Sequence, residues 1–592
     1  MTRTHPFLGA LPERGGVRFR LWAPVARRVD VVSESGEVLA PMHDVGRGVF
    51  EVVLVGAEPG LLYRYRVDGR TAYPDPASRF QPQGVHGPSM VVDPARYRWR
   101  DGEWLGVARE DLVFYELHIG TFTPEGTFAG ARRRLPYLKE LGVTAVELMP
   151  VAEFPGRWNW GYDGAALFAP ARAYGTPDDL RELVDEAQGL GVAVFLDVVY
   201  NHFGPDGAYA AALSPYFFSK AHATPWGDAI NLDGEMSETV RGFFVENGLH
   251  WLTEYHFDGL RLDAIHAIVD DSPVHFLRQL AETVHSLPKP HRYLVGEDHR
   301  NLNIVLAPIE ESGYGLDAAW NDDFHHQLRR LLAHDADGYF VDFTDSTAEL
   351  ATILRSGWLF TGQPSTYFGE SRGTDPGRLP LTRFVHFMQN HDQVGNRPTG
   401  DRITAAVSLA SFRAATALLL FLPQLPLIFM GQEWAAGTPF CYFTDHGPEL
   451  GRRVTEGRKR EFQRFAGFGD DIPDPQDPST FLRSRLDWTE LEREPHAGIH
   501  RLYQDFLRHR RLLAGPWAVK QPLEGGLVLR RGEHVLLVAL RDGLTLPWPE
   551  TARLITHTED PRYASDPEPP RVLGEAVLCP RAAAILAAAP PA

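Results

Sequence analysis

The sequence predicts a multidomain α/β protein: a (β/α)8 barrel flanked by an N-terminal β-sandwich and a small C-terminal β-domain. Three observations carry this. From about residue 111, short apolar runs alternate with helical stretches. The first 95 residues, and those after about 520, instead alternate in period two between turns rich in Gly and Pro. The length of 592 residues sets a prior of about four domains, or fewer when one is a large barrel.

The elements follow in chain order. Gly16–Trp22, Val29–Val32, Val49–Val55 and Leu62–Val67 alternate apolar and polar residues, and Pro59-Gly60 and Asp68-Gly69 punctuate them. Strands at this spacing suggest an immunoglobulin-like sandwich over 1–95. Its Pro-rich end, Tyr73 to Pro94, reads as a linker packed on its neighbour. Eight apolar runs then qualify as parallel strands covered on both faces: Val113–Leu117, Ala145–Met149, Ala193–Val198, Gly259–Asp263, Tyr293–Gly296, Leu316–Ala319, Phe384–Met388 and Leu427–Met430. Helical stretches lie between them, including Pro177–Leu190, Ser237–Tyr255 and Ala405–Leu422. The barrel is assigned to 96–515, with a short insertion after strand three at about 203–236. Leu527–Arg530, Val535–Leu540 and Ala576–Leu578 read as strands of a C-terminal β-domain over 516–592.

Composition excludes several functions. The net charge is −18, which disfavours nucleic acid and anionic membrane surfaces as partners. Two cysteines, Cys441 and Cys579, leave no disulfide framework and no CxxC metal or redox site. The start, Met1 to Pro6, has no apolar core of a signal peptide, and the strongest apolar run, Ala414 to Gly431, is broken by Pro423 and Pro426. Those features point to the cytoplasm. Aromatic residues make up 11% of the chain, and an acidic, aromatic surface suits a neutral hydroxyl-rich ligand.

Four segments end predicted strands in polar clusters: Asp197-Val-Val-Tyr-Asn-His202, Gly259-Leu-Arg-Leu-Asp-Ala-Ile-His266, Val295-Gly-Glu-Asp-His299 and Phe387-Met-Gln-Asn-His-Asp392. A barrel gathers such ends around one pocket. Arg261 and Asp263 are i and i+2 on one strand, so both point the same way, and a guanidinium there holds a carboxylate ionised. Converging carboxylates fit glycoside cleavage with retention, one as nucleophile, one as acid and a third as electrostatic stabiliser. A lone Asp at a strand end is more often a helix cap, but four such clusters in register with a barrel are not explained that way. Zinc ligation by the Asn-His pairs is disfavoured by their spacing.

In Trp158-Asn-Trp-Gly-Tyr-Asp163, Tyr162 is the residue expected to face ligand, and the Trp pair is left open. Trp22 is expected in the core. Trp226 either lines the cleft or pins its insertion down. Asn321, Asp322 and Asp323, after strand six, either bind sugar hydroxyls or cap the next helix.

The four segments resemble the conserved regions of the α-amylase superfamily of glycoside hydrolases. The resemblance implies that Asp263 is the nucleophile, Glu297 the general acid/base and Asp392 the transition-state stabiliser. It further implies that Arg261 and Asp197 position the nucleophile, that His202 and His391 hold sugar hydroxyls, that Tyr162 stacks beneath the sugar, and that His266 lies on the leaving-group side. Gly16-Val-Arg-Phe-Arg-Leu-Trp-Ala-Pro24 is similar to the sandwich of glycogen-branching and debranching relatives. Phe114 to Phe128, Gly296-Glu-Asp-His-Arg-Asn301, Trp320-Asn-Asp-Asp-Phe-His-His326 and Gln389 to Arg397 together look like the malto-oligosyltrehalose trehalohydrolase family. That resemblance implies a neutral α-glucan oligosaccharide with a trehalose end as substrate, cut at its adjacent α-1,4 bond, and functional pairing with a malto-oligosyltrehalose synthase. Gly296 stands where this group commonly has Ala. Some superfamily members bind calcium through the Asn of the first region. Asn201 is present here without a further carboxylate cluster, so neither metal nor cofactor is expected. The alternatives are a 1,4-α-glucan branching enzyme and a non-catalytic glucan-binding protein on a degenerate barrel; the latter should lack one of the three carboxylates.

Overall fold

The computed structural model describes residues 8–462 and 472–589, so the reading of the start at Met1 to Pro6 lies outside the described residues. Eight parallel strands close into a barrel: β1 Phe114–Leu117, β2 Ala145–Leu148, β3 Ala193–Val198, β4 Gly259–Leu262, β5 Tyr293–Gly296, β6 Ala318–Trp320, β7 Phe384–Phe387 and β8 Leu425–Phe429. β8 returns to β1, with Leu427 opposite Phe114. Every residue of β1 to β8 is buried, which is why these strands read as apolar runs rather than as alternation.

Two predicted strands shift. β6 begins at Ala318 rather than Leu316, and the carboxylate of Asp317 just before it accepts hydrogen bonds from His285, His291 and the Leu294 amide. β8 begins at Leu425, so it takes in Pro426, whose ring nitrogen has no hydrogen to donate. The covering helices include α1 Pro177–Gly189, α2 Ser237–Glu254, α3 Asp322–Leu332 and α4 Leu409–Phe421. Thr176 and Asp179 form a capping box that starts α1. α4 starts four residues later than Ala405 because the Ser408 hydroxyl caps it, accepting from Ser411 N. Among the described residues no helix is long and apolar enough to cross a membrane.

Ahead of the barrel, two antiparallel sheets face each other. One contains Gly9–Glu13, Gly16–Trp22, Val49–Val55 and His43–Asp44; the other is built on Val29–Ser33 and Leu62–Val67. Val17, Phe19, Leu21, Val29, Val31, Tyr63 and Tyr65 fill the space between them, as period-two alternation requires. An Arg79–Glu254 ion pair joins the Pro-rich stretch to α2. After the barrel, a five-stranded and a three-stranded antiparallel sheet share a second small core around Leu537, Leu546, Val577 and Ile585. A fully buried Arg413–Glu559 pair ties α4 to this unit.

The barrel interior is layered by the same period. Phe114, Ala145, Phe195 and Tyr293 belong to one apolar layer. Two residues further along β1, β2 and β3 come Glu116, Glu147 and Asp197, with Arg261 on β4, while β5 has the apolar Val295 there. Asp263 and Glu297 follow at the strand ends. The polar floor of the pocket is thus one strand period above an apolar plug.

Candidate active site

Arg261 is the centre of the charged layer. It is fully buried, and its guanidinium lies 4.2 Å from the Trp320 ring centroid. Nη1 donates to Asp197 Oδ2 at 2.7 Å and to Asp263 Oδ1 at 2.9 Å, while Nη2 lies 3.8 Å from Glu297 Oε2. The remaining oxygen of Asp263 accepts from Asn201 Nδ2 at 3.2 Å. Asn201, the residue that raised calcium, therefore serves the Asp263 carboxylate and the ring of His202.

The environments of the carboxylates differ. Glu297 is largely buried, and that burial pushes its pKa well above the ordinary value; Asp263, Asp322 and Asp392 push in the same direction and Arg261 opposes them. Its Oε2 accepts from Ala264 N at 2.6 Å. Burial also raises Asp197, to about 6. Asp392 keeps 41% of its side chain exposed, so it faces the cleft. Beneath Glu297, a Cβ added at Gly296 meets only the tips of two flexible side chains, Ile265 Cδ1 at 2.8 Å and Leu316 Cδ2 at 2.9 Å, so an alanine there needs a small shift of those tips.

Tyr162 joins two sides of the site. Its hydroxyl donates to Asp197 Oδ2 at 2.6 Å and lies 2.7 Å from His391 Nε2. Its ring stacks on His391 with centroids 5.1 Å apart. Both ring nitrogens of His202 already have protein partners, Asn201 Oδ1 and Tyr162 O, so a sugar hydroxyl reaching this ring joins or displaces them. His391 is likewise held at both nitrogens. Trp226, in the turn of the hairpin Phe218–Thr224 and Gly227–Ile230, is 50% exposed and stacks on His202 at 5.4 Å with an interplanar angle of 4°. Of its two readings, the structure supports lining the cleft. His266 packs edge-on against His299 at 4.4 Å, and burial lowers its pKa.

The trio after β6 divides. Asn321 and Asp323 depart from the sugar-binding expectation. The Asn321 side chain accepts from Asp323 N to cap α3 and donates to Gly357 O and His386. Asp323 is fully buried and accepts from Asn301, Leu359 N and Arg372. Neither has an atom left for a ligand. Asp322 alone stays partly exposed, accepts from Gln393, and is raised to about 6, chiefly by burial.

Trp158 and Trp160 resolve as structural. Both are buried, stacked on Phe481 and Phe440, with indole N–H groups donating to Thr444 O and Cys441 O. They wall the loop that carries Tyr162. Trp22 is buried in the core as expected. Sequence reasoning missed Glu116 and Glu147. The signal for both was a glutamate inside a short apolar run.

Comparisons with known proteins agree with this architecture. The profile of the α-amylase catalytic domain matches residues 82–221, and that of carbohydrate-binding module 48, the isoamylase N-terminal domain, matches residues 7–94. The malto-oligosyltrehalose trehalohydrolase of Deinococcus radiodurans is 48% identical over 512 residues, covering 85% of this chain and 83% of that protein. The enzyme of the same name from Saccharolobus solfataricus is 44% identical over 477 residues, covering 80% and 82%. A 1.4 Å crystal structure of a Salmonella typhimurium protein, carrying an α-amylase description, superposes with a TM-score of 0.89 at 38% identity over 98% of this chain and 99% of that one.

Proposed function

The chain belongs to the malto-oligosyltrehalose trehalohydrolase family, and we propose that it hydrolyses the α-1,4-glucosidic bond next to a terminal trehalose, releasing trehalose and a maltooligosaccharide. Asp263 attacks the anomeric carbon while Glu297 gives its proton to the departing trehalose oxygen, leaving a glucosyl ester on Asp263. Glu297, now ionised, takes a proton from water, and the hydroxide oxygen displaces Asp263. Asp392 stabilises the positive charge that develops on the sugar ring in both steps. One observation carries this assignment: a single guanidinium hydrogen-bonds Asp263, while burial holds its neighbour Glu297 above the ordinary carboxylate range. Two carboxyl groups in one pocket are thereby given different surroundings, one held by a guanidinium and the other favoured as an acid by burial.

We assign Tyr162, Asp197, His202, Arg261, His266, Asp322 and His391 to holding the substrate or the nucleophile. The limits 1–95, 96–515 and 516–592 are our division of the chain. Its place is the cytoplasm, in trehalose biosynthesis, beside a synthase that isomerises the reducing end of a maltooligosaccharide. Two free, buried cysteines fit a reducing compartment.

The branching reaction needs the same three carboxylates but a sugar hydroxyl as acceptor. Incubation with maltotriosyltrehalose and, separately, with amylose discriminates the two. Trehalose and maltotriose in equal amounts are expected. New α-1,6 branches on amylose without trehalose overturn the assignment.

A further inference from the structure

Glu116 lies inside β1, in an otherwise apolar Phe-Tyr-Glu-Leu strand, and is 1% exposed. A buried carboxylate is costly unless it is paired. Here both oxygens serve one residue from the loop after β7, two strands round the barrel: Oε1 accepts from His391 Nδ1 at 2.5 Å, and Oε2 accepts from His391 N at 3.0 Å. Gripping ring and backbone together fixes both the position of the loop after β7 and the orientation of the imidazole. From the other ring nitrogen the contacts continue. Nε2 reaches the Tyr162 hydroxyl, which donates to Asp197 Oδ2, which accepts from Arg261 Nη1, which donates to Asp263. Asp392 Oδ2 lies 3.5 Å from the same Nε2.

We propose that Glu116 is a positioning residue for bond cleavage: it holds His391 as an imidazolium whose Nε2–H points at Tyr162 and the cleft, anchoring the hydrogen-bond chain that ends on the nucleophile. This rests on the reading of Asp263 and Asp392 as reacting groups. The direction of each hydrogen bond agrees. With Nδ1–H given to Glu116 and Nε2–H given to Tyr162, the tyrosine proton is free to go to Asp197. Burial alone lowers the His391 pKa, but the carboxylates of Asp392 and Glu116 outweigh it and hold the ring at about 9. The other groups that face His391 are few. Arg261 opposes its charge, and His118 is neutral because burial lowers it to about 4. Glu147, Glu116's neighbour across the β1–β2 pair, is pushed well above the ordinary carboxylate range, chiefly by burial. Asp197 hydrogen-bonds Tyr162 and also attracts the ring's charge through space, and Trp160 and Trp320 supply uncharged walls.

The test is Glu116→Gln, which keeps the shape and removes the charge. Initial rates on maltotriosyltrehalose across pH 5 to 10 should show kcat lowered roughly 10- to 100-fold with KM within about threefold, and an alkaline limb moved down by a unit or more. Glu116→Asp keeps the charge and should restore the limb, though not the full rate. A folded Glu116→Gln enzyme with wild-type kcat and an unmoved alkaline limb overturns the proposal. A purely structural role lowers the active fraction without moving the limb. If Glu116→Gln does not fold, the nitrogen-15 shifts of His391 in the wild-type protein decide. Two protonated ring nitrogens at pH 7.5 support the proposal, and a neutral ring overturns it. That measurement needs no substrate, so a wild-type protein inert towards maltotriosyltrehalose defeats the cleavage reading while leaving the Glu116 contact separately judged.

Discussion

Replacing Arg261 by Met removes the charge that Asp197 and Asp263 share while keeping much of the volume stacked on Trp320. The N···O distances of 2.7 and 2.9 Å place the charge centres about 4 Å apart. At an effective dielectric constant near 20 each pair is worth about 4 kcal/mol before desolvation. Removing one partner of a buried pair typically costs about 3–5 kcal/mol, because the charge left behind is unpaired. Asp263 also loses the donor that fixes its Oδ1 for attack, and each ~1.4 kcal/mol of that cost carried into the transition state is about tenfold in rate. We therefore expect kcat/KM for trehalose release at pH 6 to fall about 100-fold or more. Arg261→Lys keeps the charge but is a point donor rather than a planar fork, and should fall between the two. Rates from pH 4.5 to 9, with a thermal melt of each variant, supply the comparison. An Arg261→Met enzyme within threefold of wild type refutes the reasoning.

Three further outcomes follow from the same geometry. Glu297→Gln should abolish hydrolysis of maltotriosyltrehalose yet retain measurable turnover of α-maltosyl fluoride, whose leaving group needs no proton; equal loss on both substrates counts against the acid role. Trp226→Ala removes an exposed ring stacked on His202 and should raise KM several-fold with the melting temperature within about 2 °C, which steady-state kinetics and calorimetry together check. Glu433 is buried between the Tyr115 and Tyr137 hydroxyls and raised to about 7, chiefly by burial. Because its folded pKa exceeds the unfolded value of about 4.5, its stabilising contribution is complete below pH 4.5 and is lost as pH rises through 7. Glu433→Gln should therefore gain stability relative to wild type between pH 5 and 8, measured as the difference in melting temperature; a constant difference contradicts the shift.

The barrel was legible because its strands are covered on both faces, so β1 to β8 appear as short apolar runs in a long chain. Boundaries drifted where a polar residue at a strand end has a local task, as Asp317 does with its two histidines and Ser408 does as a cap. The carboxylates Asp263, Glu297 and Asp392 were legible for the opposite reason: they interrupt apolar runs at the ends that a barrel brings together. Asn321 and Asp323 show the limit of that signal. A helix cap and a buried ion pair use the same residue types at the same strand end as a sugar site, and only their partners in space separate them. Glu116 and Glu147 were hidden because they sit within strands, one layer below the pocket, where the pattern favours reading the whole run as core.

The most direct test of the account follows the proton NMR spectrum of maltotriosyltrehalose as the enzyme is added. Double displacement on Asp263 predicts that the α-anomer of maltotriose appears first, one molecule for each trehalose, and mutarotates afterwards. Nascent β-maltotriose, or maltooligosaccharide without equimolar trehalose, contradicts it.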